Sequence, residues 1–381
     1  MMRNENQLNY TSSPYLVFEN IDGDKVVINN ILLDKRQIID IKLLEIYKYC
    51  RNARLKEDIY HLYGDEAFQI CLNSRLILET QTMWSPLAFE NVEIEINTVC
   101  NYKCEYCPVR YEPKQPQFMS IEDFSTIIEK ITHYPTIKNV SLSSYNEPLI
   151  DPYFIERVNI LAKHGLSLIL HTNGSRLDKH MVDFLNGTGC INEVHVNFPC
   201  YDSEKYSVIT GRNTFDQVCE NIEYAIESGL NINFSIQKVD NAYKENLKVM
   251  NQLYSERLGK KITAWTTVDR AGILKNKYAQ RIFISDTLAG CRNVLKWLTI
   301  NVNGDCFICC NDYYNSYTYG NLLQNELSEI VASSSYTNII QSIFGQNSSS
   351  EDFICRKCYE MKIMHTYKRM ENHIRKQLNL L

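Results

Sequence analysis

The sequence predicts an α/β protein: a partial (β/α)6 TIM-type barrel, with a winged-helix-like α+β domain before it and a small cysteine-rich domain after it. Three observations carry this expectation. Between residues about 90 and 280, strand-like apolar runs alternate with runs of helical period. Ahead of them stands a hairpin signal followed by three short helical patterns. Beyond about residue 280 the alternation stops, and six of the chain's 14 cysteines crowd into 291–358. The expected boundaries are 1–86, 87–280 and 281–381.

The first unit rests on turn chemistry. Residues 1–13 are polar and expected to be frayed. Tyr15 to Phe18 and the VVIN run flank Asp22-Gly23-Asp24, a turn signal between two apolar stretches. Ile39, Leu43, Ile46, Tyr47 and Cys50 then form a helical stripe, with shorter helices expected over 55–63 and 65–74 and a returning strand at 76–78. A generic α+β cap remains open beside the winged helix. Bases here are offset by Asp34, Asp40, Glu45, Glu57, Asp58, Asp65 and Glu66, which argues against DNA binding.

The barrel follows from six strand runs (92–97, 139–143, 167–171, 193–198, 231–236, 262–267) and five helical ones (120–132, 153–164, 178–186, 214–228, 243–256). Six units are two short of a closed eight-fold barrel. Its first strand, NVEIEIN, sets Val92, Ile94 and Ile96 against Glu93, Glu95 and Asn97. One face goes against helices, and the carboxylates suit either a wet lumen or the solvent face of an edge strand. In the last helix Ile363, Tyr367, Ile374 and Leu378 read as a buried stripe, and Lys368, Arg369, Arg375 and Lys376 as its solvated face.

With 40 basic and 45 acidic side chains, the chain is too evenly charged for a nucleic-acid backbone binder and, at 44% apolar, too apolar for disorder. No run approaches the ~20 apolar residues of a membrane helix, and the start lacks a signal-peptide core. The expectation is a cytoplasmic protein that engages neither membrane nor nucleic acid. Thiols stay reduced there, so clustered cysteines point to metal rather than disulfides. Cys50, Cys71, Cys190, Cys200 and Cys219 are scattered and suit core positions.

Cys100, Cys104 and Cys107 follow the first barrel strand at offsets of four and three, on one tight loop. Structural zinc prefers four ligands, so three thiolates suit an iron–sulfur cube with one open iron better, zinc remaining the rival. The Cys-x3-Cys-x2-Cys run, with Tyr106 before its third cysteine, resembles the radical S-adenosylmethionine superfamily. That resemblance implies a 4Fe–4S cluster on Cys100, Cys104 and Cys107, S-adenosyl-L-methionine on the open iron, and a 5′-deoxyadenosyl radical that abstracts hydrogen. It sets Tyr106 beside the adenine. It also makes Ser144-Tyr145-Asn146-Glu147 the segment that receives the cofactor's ammonium group, with Glu147 in the leading role. This chain lacks the family's glycines there. Thr172 and Asn173, before Gly174, fall near the nucleoside, Asn197 near the ribose or carboxylate, and Arg212 near the carboxylate. Cys200, at the mouth of the fourth strand, is a candidate hydrogen donor or simply a core residue.

Cys291-x12-Gly304-x4-Cys309, then Cys355-x2-Cys358, resembles the SPASM or shorter twitch auxiliary-cluster extension, as does Asp269-Arg-Ala-Gly272 at the end of the sixth strand. The resemblance makes the last domain an iron–sulfur domain. It implies one auxiliary 4Fe–4S cluster on Cys291, Cys309, Cys355 and Cys358, with Cys310 the alternative to Cys309 and structural zinc the rival metal. Two readings of the reaction stand. In one, the first unit resembles a RiPP recognition element that captures the leader of a ribosomal precursor peptide, which is then cross-linked, epimerised, oxidised or given a thioether. In the other, a twitch-type enzyme oxidises an alcohol of a small molecule such as an amino-sugar. Either takes electrons from a donor such as flavodoxin or ferredoxin. A redox-sensing DNA regulator is disfavoured by the acidic first unit.

Overall fold

The computed structural model describes residues 8–239, 243–274 and 281–380. The first unit runs β1 (Asn9–Ser12), β2 (Leu16–Asp22), β3 (Lys25–Asn30), β4 (Lys35–Asp40), α1 (Leu44–Tyr49), β5 (Arg54–Leu55), α2 (Lys56–Tyr63), α3 (Asp65–Asn73) and β6 (Ile77–Glu79). Gly23 turns the expected hairpin with φ of +58°. Two expectations fail here. Residues 35–40 are a third strand, not the start of a helix, because Val26, Val27 and Ile28 offer them an antiparallel ladder. Residues 9–12 are not frayed but paired with β5 and β6, while residues 1–7 lie outside the described chain.

The barrel comprises β7 (Asn91–Ile94), α4 (Ile121–Thr132), β8 (Asn139–Ser141), α5 (Phe154–Lys163), β9 (Ser167–Thr172), α6 (Lys179–Thr188), β10 (Ile191–Val196), α7 (Ser203–Thr210), α8 (Phe215–Glu227), β11 (Ile232–Phe234), β12 (Ile236–Gln237), α9 (Tyr243–Leu258) and β13 (Ala264–Trp265). Strands β7 to β11 are parallel neighbours in chain order. Helix α4 shows why the helices cover them: Ser120 caps its N-terminus, and Phe124, Ile127, Ile128 and Ile131 bury one stripe. The fifth expected strand is split at Ser235, whose N–H bonds back to Val196 O (2.9 Å). The sixth shrinks to a two-residue pairing of β13 with β12. Helix α7 was not foreseen, because SEKYSVIT has no clean apolar stripe; Asp202 caps it.

The last hundred residues give α10 (Asn293–Lys296), β14 (Trp297–Ile300), β15 (Asp305–Phe307), β16 (Thr318–Asn321), α11 (Leu327–Ala332), α12 (Ser334–Ile343) and α13 (Tyr359–Gln377). They are less separate than the composition suggests. Strand β14 lies parallel to β7, with Thr299 opposite Glu93, and β15 and β16 extend the same eight-stranded sheet.

Helix α13 crosses back to the first unit. Its expected faces hold in part: Ile374 and Leu378 pack inward and Arg369 and Lys376 are exposed, but Tyr367 is exposed, Lys368 and Arg375 are half-buried, and Met361 and Glu371 are buried. Glu371 Oε1 accepts Phe18 N–H (3.2 Å), and Arg375 donates to Glu371 (2.6 Å) and to Leu16 O (3.4 Å). Leu378 and Leu380 complete the core of Phe18, Val26, Ile28 and Phe68. The larger core beneath the barrel is separate and runs on into residues 284–361.

Candidate active site

Strand ends and the loops after them enclose a cavity of about 290 Å³. Its walls include Cys100, Cys104, Tyr106 and Cys107 from the loop after β7, Ser144 to Glu147 after β8, and Thr172 and Asn173 at β9. Asn197 after β10 closes it. These residues, singled out from the sequence for the cofactor site, therefore meet in one place.

The cysteine loop is held by the α7 segment. Lys103 N–H donates to Thr210 O (3.0 Å) and Glu105 N–H to Ile209 O (2.9 Å). Tyr102 bonds its hydroxyl to Tyr206 and to Thr214. Arg212 belongs to this brace. It is exposed, does not line the cavity, and donates from Nε to Asn101 O (2.5 Å), so its expected contact with the cofactor is replaced by support of the loop.

Glu147 is 2% exposed. Its Oε1 accepts from Thr172 Oγ1 (2.7 Å) and Leu149 N–H (3.2 Å), and its Oε2 from Asn173 N–H (2.7 Å). Burial pushes its carboxyl up to about 7 against the pull of those bonds. A cation arriving beside it restores the charged form. Asn173 also reaches Asn101 Oδ1 (2.8 Å), tying the β9 end to the cysteine loop. The turn that follows needs its glycine: Gly174 has φ of +78°, and a Cβ there would meet Val196 Cγ1 at 3.1 Å.

The donor set fits an iron–sulfur cluster with a polar organic ligand. Among the described residues, Tyr106 Oη and Asn197 Oδ1 are buried without a hydrogen bond, a costly arrangement unless a ligand satisfies them. Burial pushes the Cys100 thiol up to about 12 and raises Cys104 and Cys107 as well. Coordinated iron reverses that preference, since a ligating thiol gives up its proton. Among the described residues no three His, Cys, Asp or Glu side chains converge on a single ion. Thiolates on a cube each hold a different iron, so they need not converge.

The second cluster gathers beside the cavity. Cys309 feels the charges of Cys355 and Cys358, and Cys355 those of Cys291 and Cys358, on top of the burial that raises each. Asn311 Nδ2 donates to Cys358 Sγ (3.5 Å). Cys310 instead forms part of the cavity wall, near Glu93 and Arg270, although Cys358 and Cys291 also influence it. Cys306 is fully buried on β15, a core thiol.

Cys200 does not reach the main cavity. It is 5% exposed in a smaller one of about 150 Å³ lined by Tyr201, Lys205 and Asn246, with its Sγ 3.6 Å from Asp202 O. The hydrogen-donor expectation is therefore not supported by its position.

Four residues that the sequence expectations did not assign also line the cavity: Glu93, His171, His195 and Arg270. Glu93 was visible as the alternation of β7. The two histidines stack with ring centroids 4.6 Å apart, and burial lowers His171 to about 4, so both favour the neutral form. Their register on adjacent strands (His195 opposite His171) is not readable from either segment alone.

Residues 94–253 match the radical SAM superfamily, and residues 291–359 match the iron–sulfur cluster-binding domain called SPASM. GTP 3′,8-cyclase of Vibrio vulnificus is 28% identical over 147 residues, 37% of this chain and 43% of that protein. GTP 3′,8-cyclase of Mannheimia succiniciproducens is 31% identical over 161 residues, 41% of this chain and 45% of that protein. The chain thus spans less than half the length of these curated relatives. Among solved structures, Streptococcus suis SuiB bound to precursor peptide SuiA aligns over 93% of this chain and 94% of that one, with TM-score 0.58 and 15% identity. The chain carries a radical SAM domain and a SPASM domain, a pairing whose cofactors are S-adenosyl-L-methionine with a 4Fe–4S cluster and auxiliary iron–sulfur clusters.

Proposed function

We propose that this enzyme modifies a ribosomally synthesised precursor peptide, with residues 1–86 capturing its leader, 87–280 forming the catalytic barrel and 281–381 the auxiliary-cluster domain. The observation that carries the reading is the outer edge of β4, against which no strand lies among the described residues. The opposite edge of that sheet, β2, is occupied by Glu371 and Arg375 of α13. Ile41 N–H bonds to Asp24 O (2.9 Å), so by period-two alternation the main-chain groups of Ile38 point away from β3. Its side chain is 71% exposed. Such an edge accepts an extended peptide by strand addition. The fold likeness to peptide-bound SuiB, which takes in this first unit, supports the same reading.

In this proposal Cys100, Cys104 and Cys107 hold the first cluster, and Glu147 receives the ammonium group of S-adenosylmethionine. Tyr106, Ser144, Tyr145, Asn146, Thr172, Asn173 and Asn197 line its site. Cys291, Cys309, Cys355 and Cys358 hold one auxiliary 4Fe–4S cluster, and a flavodoxin or ferredoxin supplies electrons. When bound, these groups supply reductive cleavage of the sulfonium and hydrogen-atom abstraction from substrate. The protein's own part is to exclude water from the cavity and to fix the orientation of what binds there.

Ile38→Pro tests the capture role without removing a β3–β4 hydrogen bond. With precursor peptides encoded near the gene, processing followed by mass spectrometry should fall at least about tenfold, while S-adenosylmethionine cleavage without peptide stays at the wild-type rate. Wild-type processing by Ile38→Pro overturns leader capture at this edge.

A further inference from the structure

Glu93 and Arg270 stand on two walls of the cavity, one on β7 and the other just after β13. Both are half-buried charged groups set in the wall of a half-open cavity. Glu93 lies beside Ser144, and its Oε1 is buried without a hydrogen bond among the described residues. The Arg270 guanidinium faces the Tyr145 ring, 5.7 Å from its centroid, and has no hydrogen-bond or ion-pair acceptor among the described residues. The two therefore influence one another without forming an ion pair. Buried charges are ordinarily paired, so an unclosed gap between opposite charges marks where a ligand belongs.

Two further observations point the same way. Arg270 and Ala271 both have left-handed backbone, with φ of +50° and +57°, ahead of Gly272 at +93°. Non-glycine residues pay strain for that conformation, and such strain gathers at sites of function. Here it carries the Arg270 side chain to the cavity wall. Across the sheet, Thr299 lies in register with Glu93, and its hydroxyl is likewise buried without a partner.

We propose that Glu93 and Arg270 anchor a backbone amide of the substrate peptide, Glu93 accepting its N–H and Arg270 donating to its carbonyl. A trans amide points these two groups in opposite directions, which suits acceptor and donor on separate walls. The pair is a positioning device that fixes the register of the residue presented for hydrogen abstraction. This assignment rests on the peptide reading above.

The test uses the full chain with reconstituted clusters and S-adenosylmethionine, titrated calorimetrically with N-acetyl-trialanine N-methylamide, with the same peptide N-methylated along its backbone, and with glucosamine. The capped peptide should bind the wild type, and backbone N-methylation should abolish binding. Glu93→Gln and Arg270→Lys should each weaken it at least about tenfold, with iron content per chain unchanged as the check on folding. If both variants bind the capped peptide as the wild type does, the anchor is overturned while the peptide reading stands. If the wild type ignores every peptide but binds glucosamine, the peptide reading itself is overturned, and the amide assignment with it.

Discussion

The Arg375 guanidinium lies 4.7 Å from the centroid of the Phe18 ring, so the last helix of the chain is fastened to its first hairpin. Arg375 also neutralises Glu371, whose side chain is only 6% exposed. Arg375→Ala removes the ion-pair partner of that buried carboxylate and leaves it only the Phe18 N–H and the more distant Lys368 charge. Thermal unfolding should register a loss of about 2–4 kcal/mol, with the first unit melting ahead of the barrel.

Glu147→Gln keeps one carbonyl acceptor for Thr172 or Asn173 but removes the charge offered to an ammonium group. Affinity for S-adenosylmethionine should fall by about 1.5–3 kcal/mol, the worth of a hydrogen bond to a charged group. Equilibrium dialysis measures it, and unchanged affinity refutes the assigned role.

The two adjacent cysteines of the second cluster should behave differently. Cys309→Ala should lose about four irons per chain, the content of one cube. Cys310→Ala should keep them, because Cys310 forms part of the cavity wall. Iron analysis after anaerobic reconstitution decides between them, and the reverse pattern makes Cys310 the ligand.

Acidity gives a further handle on the protein without cofactors. Glu93 and Glu147 are each raised to about 7 by burial, so the folded state holds protons that the unfolded chain releases. Their contribution to stability is complete below about 4.5 and is lost as pH rises through about 7. Denaturant midpoints should therefore decline across that interval, and Glu93→Gln should flatten the decline. His171, held near 4, acts in the opposite direction and costs stability as pH falls below its unfolded value near 6.5.

Much of the site was legible because its chemistry is carried by short local spacings. Cys100, Cys104 and Cys107 sit on one loop, and Glu147 and Asn173 each follow a strand-like run, so their segments are readable locally. What stayed hidden depends on neighbours distant in sequence. Arg212 reads as a cofactor ligand from its own segment, whereas its guanidinium reaches back to Asn101 O. The third strand of the first sheet was masked because Ile39 also fits a helical stripe, and only the ladder with Val26 decides between the two. Arg375 and Lys368 read as part of a wet face because nothing in α13 itself announces the hairpin that covers them.

The parallel ladder between β7 and β14 ties the cysteine-rich tail directly to the strand that bears Glu93. The loops that bear Cys100, Cys104 and Cys107 after β7 and Cys309 after β15 consequently leave one continuous hydrogen-bonded sheet instead of swinging on a tether. The spacing between those loops is thereby built into the sheet, and lengthening the segment that joins barrel to tail should leave it as it is.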